Sequence, residues 1–302
     1  MSNRPKLSVL ITTCNLEHYI CRALDGVFAQ EHEYSFEIVI ADDASTDKTL
    51  ERIQPYQQRF PGLIKLILHK TKVGLSRNYL SAMEACEGDY IALLDGDDYW
   101  TDPKKLQTQI AFLEEHSDFV LSCHRFRKYF VQENRYDGKL YPVLPANCQD
   151  GFLVDPDVFG NWVTQTLTVV FRNRVVDLNE LKSYPSFKDT HLFFCLMQRG
   201  KGYVHSFDGG VYTIRGDGHW GVQDDLKRWR TDMATIEELQ QTYKDDESLK
   251  RARQVFRFGI WEREYKSFNL PPAGNLGRRL WLKIKMRLFN PYKKTAASIS
   301  AS

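Results

Sequence analysis

GDYIALLDGDDYW, residues 88–100, decides how the rest of the chain is read. Its apolar run, 90–94, has the length of a buried strand. That run carries three carboxylates, Asp95, Asp97 and Asp98, into a loop where Gly96 permits a tight backbone. Carboxylates crowded this closely repel one another and need a cation or strong donors nearby, and hard oxygen ligands suit Mg2+ or Mn2+. The same residues also fit a solvated turn, because Asp102 before Pro103 makes an N-cap and first-turn pair for the following helix.

Upstream of this stretch, strand-like and helix-like segments alternate. Strands are expected at 7–12, 36–41 and 64–69, and helices at 16–28, at 46–59 with an interruption near Pro55, and at 75–85; a helix at 103–116 follows the 90–94 strand. Such alternation implies right-handed crossovers and a mainly parallel α/β sheet, in which ligands bind beyond the carboxyl ends of the strands. Three of those ends are polar: Thr12, Thr13, Cys14 and Asn15 after the first strand, ADDASTD (41–47) after the second, and DGDD (95–98) after the fourth. Helix capping explains no more than one residue of each loop. The third strand runs into HKTKVGLSRN (69–78), where Lys72 and Arg77 either bring positive charge to the same crevice or belong to a solvated loop entering a helix.

Beyond Phe126 the pattern is less regular. Residues 127–150 mix basic, aromatic, Pro and Asn residues and are expected as loops over an open face. A short helix is expected at 154–162, a strand at 166–172, and a short helix at 189–198 with Asp189 in the N-cap position. Two short strands, 202–207 and 210–214, joined by an Asp-Gly-Gly turn, come next, and 222–268 is charged and helical in period.

An apolar content of 42% with 26% charged residues over 302 residues fits a globular protein with a substantial core, and the absence of any run of 18 apolar residues gives no spanning helix. The short apolar run near the N-terminus is a first strand rather than a signal peptide. Six cysteines without CxxC spacing argue against a zinc site or a disulfide frame and fit reduced packing residues of a cytoplasmic protein. The net charge of +2 hides an asymmetry: eight basic and no acidic residues follow Glu264, which leaves about −6 on residues 1–265. Part of that excess lies in 277–294, where Leu280, Trp281, Ile284 and Leu288 share a helical arc beside Arg279, Lys283 and Arg287. This pattern suits an interfacial helix on anionic lipid, or a helix packed on the protein with its charges solvated.

Taken together, SVLITTCNLEHYI, IVIADDASTDKT, KVGLSRN, GDYIALLDGDDYW and SFKDTHLFFCLM resemble, in order and spacing, the inverting glycosyltransferases of family 2, with the nucleotide-diphospho-sugar transferase fold called GT-A. The resemblance extends over roughly the first 215 residues and is greatest to bacterial members that build surface polysaccharides. It implies a Rossmann-like catalytic domain at 1–221, with a nucleotide-sugar half at 1–126 and an acceptor half at 127–221. A helical extension with the basic tail would occupy 222–302. It further implies that Thr12, Thr13 and Asn15 lie against the nucleoside, that Asp43 accepts a hydrogen bond from a uracil base, and that Asp95 stands near the ribose or metal shell. Asp97 or Asp98 would hold Mn2+ or Mg2+ against the diphosphate, with Asp189 as general base. The partners implied are a UDP-sugar and a glycan or lipid-linked acceptor at the inner face of the cytoplasmic membrane; no nucleic acid is expected.

The chemistry needs such parts independently. Displacing a nucleoside diphosphate builds negative charge on the leaving group, and an attacking hydroxyl must lose a proton to a carboxylate facing it. A metal-bound diphosphate makes the carboxylic acid of a glycosidase unnecessary. One segment departs from the family: VYTIRGDGHWG has Arg215 where relatives carry histidine, so Arg215, or His219 as second choice, is expected at the phosphates. Trp100, Trp162, His191 and Trp220 are candidates for contacts to sugars, or for the core. Two rivals stay open. A nucleotidyltransferase would need a Gly-rich basic loop after the first strand, which TTCNLEHYI lacks, and a non-catalytic nucleotide- or sugar-binding protein would draw its support from Arg215.

Overall fold

The structure, a computed structural model, describes residues 4–144, 148, 150–154, 164–216 and 225–267. Its first half alternates as expected through β1 Leu7–Thr13, α1 Ile20–Phe28, β2 Phe36–Asp42, α2 Thr49–Arg59, β3 Ile64–Leu68, α3 Leu75–Ala85 and β4 Tyr90–Asp95. There follow β5 Tyr99–Trp100, α4 Lys105–Glu115, β6 Phe119–Phe130, β7 Arg135–Tyr136, β8 Gly151–Leu153, a 3-10 turn at Thr166–Thr168 and β9 Val170–Arg172. The described chain ends with α5 Leu178–Ser183, α6 Asp189–Met197, β10 Lys201–Ile214, α7 Asp225–Thr242 and α8 Glu247–Ser267.

The main path of the sheet has the order β3-β2-β1-β4-β9-β6-β10-β5. β3, β2, β1 and β4 are parallel, β9 is antiparallel to both β4 and β6, and β10 returns parallel to β6, so the sheet is mixed. Alternation along each strand feeds two cores. In β4, Ile91 and Leu93 join one core with α3 and α6, while Ala92 and Leu94 join the other with α1 and α4. The first core also takes Ile236 and Leu239 of α7 and Leu249 and Ala252 of α8, so these charged helices pack on the sheet layer through a narrow apolar stripe. Among the described residues no helix is long and apolar enough to cross a membrane. All six cysteines are free.

Several expectations are corrected. Residues 127–130 extend β6 instead of starting a loop. Residues 201–214 form one strand, not a hairpin, because the Asp-Gly-Gly segment is a bulge in the pairing of β10 with β6. A Cβ at Gly209 would lie 2.6 Å from the His124 ring, so the bulge admits that imidazole where a turn would have reversed the chain. Only 170–172 of the expected 166–172 strand is extended. Pro55 sits inside α2 without interrupting it: Glu51, whose carbonyl loses its helical donor, is on the exposed face, where water can replace the missing bond. The helix expected at 154–162 falls almost wholly outside the described residues.

Lys105 is fully buried at the start of α4, where its ammonium nitrogen donates to Gln109 Oε1 at 2.7 Å and lies 4.2 Å from the centre of the Trp100 ring. Burial pushes its pKa down from 10.5 to about 7. The unfolded chain therefore binds more protons between those two values, and the stability of the protein is expected to rise with pH from about 7 to 10.5. Lys105→Met should flatten that rise, which urea unfolding at several pH values would read.

Candidate active site

β1 and β4 lie in a register that sets Thr12 beside Asp95. The Thr12 hydroxyl donates to Asp95 Oδ1 at 2.8 Å, and the Thr166 hydroxyl donates to Asp95 Oδ2 at 2.7 Å, so the carboxylate is gripped from both sides. The chain then turns sharply, with Gly96 N–H on the Thr12 carbonyl and Asp98 N–H on the Asp95 carbonyl. A Cβ at Gly96 would come within 3.0 Å of both Thr12 O and Leu16 Cδ1, which is why this turn takes glycine.

The two carboxylates beyond the turn have different fates. Asp98 is 1% exposed and accepts the Thr213 N–H at 2.8 Å, tying the loop to β10; burial first, and then Asp97 and Asp95, push its carboxyl well above the usual range. Asp97 keeps 22% of its side chain exposed and lies 3.0 Å from Arg215 Nε. Of the two carboxylates expected at a cation, Asp97 is the one partly open to solvent, while Asp98 is buried and holds β10. The Arg215 guanidinium stands over the Tyr19 ring at 5.3 Å.

Around the β2 end, Asp43 accepts Val73 N–H at 2.6 Å and Gly74 N–H at 3.0 Å, one on each oxygen, and so fixes the loop that opens α3. Asn15, at a positive φ of 54°, accepts Thr46 N–H at 2.8 Å and donates its own N–H to the Ser45 hydroxyl. Lys72, though exposed, acts on the Cys14 thiol and so stands by the first loop. Arg77 is exposed on α3 and has no ion-pair partner among the described residues.

Asp189 is the first residue of α6 rather than its N-cap, a place taken by Lys188. The Lys188 N–H is satisfied by His191 Nδ1 at 3.1 Å, and Asp189 accepts Thr190 N–H at 2.8 Å. Burial, with Asp95 adding to it and Lys188 opposing it, pushes the Asp189 carboxyl from 3.8 up to about 6. The loop before it is pinned by Ser76, whose hydroxyl donates to the Phe187 carbonyl at 2.6 Å, and by the Ser186 hydroxyl on Glu238 of α7.

Two expected sugar contacts belong to the interior. Trp100 is 3% exposed, with its indole N–H on the Leu167 carbonyl at 2.8 Å. His191 is fully buried, with Nε2 3.3 Å from Glu238, and burial pushes its pKa down to about 3, so it is a neutral residue that anchors the start of α6. Trp162, His219 and Trp220 lie outside the described residues.

The sequence reading missed Thr166, Thr213, Tyr79 and Tyr212. Thr213 and Tyr212 sit in the segment read as half of a hairpin. The hydroxyls of Thr13, Tyr79 and Thr213 and the Asn78 side-chain oxygen are buried without a hydrogen-bond partner in the protein.

The family model described as glycosyl transferase family 2 matches residues 8–161. An uncharacterized protein of Mycobacterium tuberculosis is 38% identical over 168 residues, 56% of this chain and 47% of that protein. The poly(ribitol-phosphate) beta-N-acetylglucosaminyltransferase TarS of Staphylococcus aureus is 33% identical over 118 residues, 38% of this chain and 20% of its own. The chain spans about half the length of the first of these curated relatives, and less of the second. In three dimensions it is similar to residues 1–349 of S. aureus TarS in complex with UDP-GlcNAc, with a TM-score of 0.61 at 21% identity, covering 83% of this chain and 71% of that one. It is also similar to a mannosyltransferase of Pyrobaculum calidifontis in complex with GDP-Man and Mn2+, with a TM-score of 0.58 at 15% identity over 98% of this chain and 84% of that one. These structural likenesses show a common GT-A fold, and on the match over residues 8–161 the chain belongs to glycosyl transferase family 2.

Proposed function

We propose that this protein transfers a sugar from a nucleotide-diphospho-sugar of the UDP series to a hydroxyl of a glycan or lipid-linked acceptor, with inversion, in bacterial surface-polysaccharide assembly at the cytoplasmic membrane face. The observation that carries the reading is the pairing of two acidic positions: Asp95 and Asp97 at the end of β4, and Asp189 at the start of α6, whose carboxyl is held near 6 by burial and by Asp95. A carboxylate with that pKa is ionised at neutral pH yet basic enough to take a proton from an attacking hydroxyl. Direct attack on the anomeric carbon inverts it. Relatives that are themselves glycosyltransferases, TarS among them, support the class of reaction.

In this reading residues 1–221 are the catalytic unit and 222–302 its extension. Thr12, Thr13, Asn15 and Asp43 line the nucleoside end, with Lys72 at its rim. Thr12 and Thr166 orient Asp95, while Arg215 meets the diphosphate with its forked guanidinium. The proposed contact of the 277–294 tail with anionic lipid rests on its sequence, since the tail lies outside the described residues.

The fold family implies a divalent cation. Among the described residues no three His, Cys, Asp or Glu side chains gather closely enough to hold one by themselves. The donor set still fits Mg2+ or Mn2+, because such ions are commonly held by one or two carboxylates together with substrate phosphates and water. Asp97, partly exposed, would hold the ion, with Asp95 beside it. When bound, it would neutralise charge on the departing diphosphate.

The purified protein should release UDP from at least one UDP-sugar, faster with Mn2+ than with EDTA. A folded protein that binds neither UDP nor any UDP-sugar would sink the proposal.

A further inference from the structure

Tyr79 stands on α3, one turn after Ser76, with 5% of its surface exposed. Its ring lies 6.0 Å from that of Phe187, two residues before Asp189, and the Ser76 hydroxyl holds the Phe187 carbonyl. This face of α3 is therefore fixed against the loop that delivers Asp189. The Tyr79 hydroxyl is buried and has no hydrogen-bond partner in the protein, although the Asp95 and Asp189 carboxylates both act on it. Burial and those two charges keep the phenol protonated, which makes it a donor. A phenylalanine would fill the same volume without the penalty of an unmet hydroxyl, so the oxygen asks for a partner from outside the chain.

The fold restricts which part of a donor could be that partner. Asp43 ends β2, and β1 separates β2 from β4, where Asp95 stands. A nucleoside at the Asp43 end leaves the far side of Asp95, toward Asp189, for the transferred sugar. The Tyr212 hydroxyl, contributed by β10, is acted on by Asp98, Asp97, Asp95 and Asp189, so a second phenol serves the same space from another element.

Resting on the transfer reaction proposed above, we infer that the Tyr79 hydroxyl donates to a hydroxyl or amide oxygen on the transferred sugar and thereby helps to set which sugars are accepted. Sites built around such a bond discriminate against donors that cannot complete it.

The test is Tyr79→Phe, with calorimetric titration of UDP, UDP-GlcNAc, UDP-Glc and UDP-Gal into wild type and variant in the presence of Mn2+. UDP should bind both proteins alike, within about twofold. The gain in affinity that the best-bound sugar adds over UDP should shrink about fivefold to tenfold in the variant, the range expected for one lost hydrogen bond. The variant should unfold at the same temperature as the wild type or higher. An unchanged sugar gain, an equal loss for UDP, or a lower unfolding temperature with the sugar gain intact would overturn the inference. So would a wild type that binds every UDP-sugar no better than UDP. A wild type that binds neither UDP nor any UDP-sugar would instead overturn the transferase reading itself.

Discussion

Asp189→Asn is expected to lower kcat by about 10^2- to 10^4-fold while leaving UDP binding within about twofold, because the amide keeps the shape of the side chain and loses its basicity. The wild-type profile should identify the group. A base works only when deprotonated, so the rate should rise as pH passes through about 6 and then level off, whereas the residual rate of the variant should not follow that limb. Stability should move the other way. The folded carboxyl titrates near 6 against an ordinary 3.8, so the native state holds the extra proton between those values and loses stability as pH rises through that window. At pH 7 the buried charge is a burden, and the asparagine variant should unfold at a higher temperature, by an amount on the order of 3 kcal/mol in stability. Release of UDP measured from pH 5 to 8, with thermal unfolding of both proteins at pH 7, checks the two halves of this expectation. A variant that kept the wild-type rate and its acid limb would remove Asp189 from the base role.

The site was legible in the sequence where chemistry and chain direction coincide. Parallel strands all end on one side, so the acidic loops after β2 and β4 had to share an edge, and Asp95 and Asp43 are found there. Legibility failed where function depends on which chain lies alongside. Nothing local in TLT says that Thr166 will reach Asp95 from across the sheet. Nothing in DGG distinguishes a turn from a bulge, since the deciding object is the His124 ring of a different strand. Trp100 and His191 illustrate the converse. Their side chains can bind sugars, but the indole is spent on the Leu167 carbonyl and the imidazole on the entry to α6. The unmet hydroxyl of Tyr79 is invisible for the same reason: a missing partner is a property of the packed structure.

Arg215 changes what should be expected of Asp97. An arginine 3.0 Å from Asp97, which unlike the buried Asp98 is partly open to solvent, competes with any cation for it, and, unlike histidine, it offers no lone pair to a metal. Asp97→Asn should therefore reduce kcat/KM by about 10^2- to 10^3-fold and abolish the response to Mn2+, as expected when a group stabilising leaving-group charge is lost. Arg215→Ala should separate two quantities that fall together in Asp97→Asn. Without its competitor, Asp97 should take Mn2+ at several-fold lower concentration in the absence of nucleotide, whereas UDP, deprived of a fixed positive charge, should bind about tenfold more weakly. Titration of Mn2+ into the nucleotide-free variants, followed by titration of UDP at saturating Mn2+, measures both. If Arg215→Ala left Mn2+ affinity unchanged and weakened UDP alone, the ion pair with Asp97 would have no part in governing the cation. If it weakened both, Arg215 would be supporting the loop rather than competing for it. The expected opposition follows from charge: one guanidinium cannot neutralise Asp97 and a diphosphate fully at once, so donor binding should draw it from the first toward the second and leave the carboxylate to the ion.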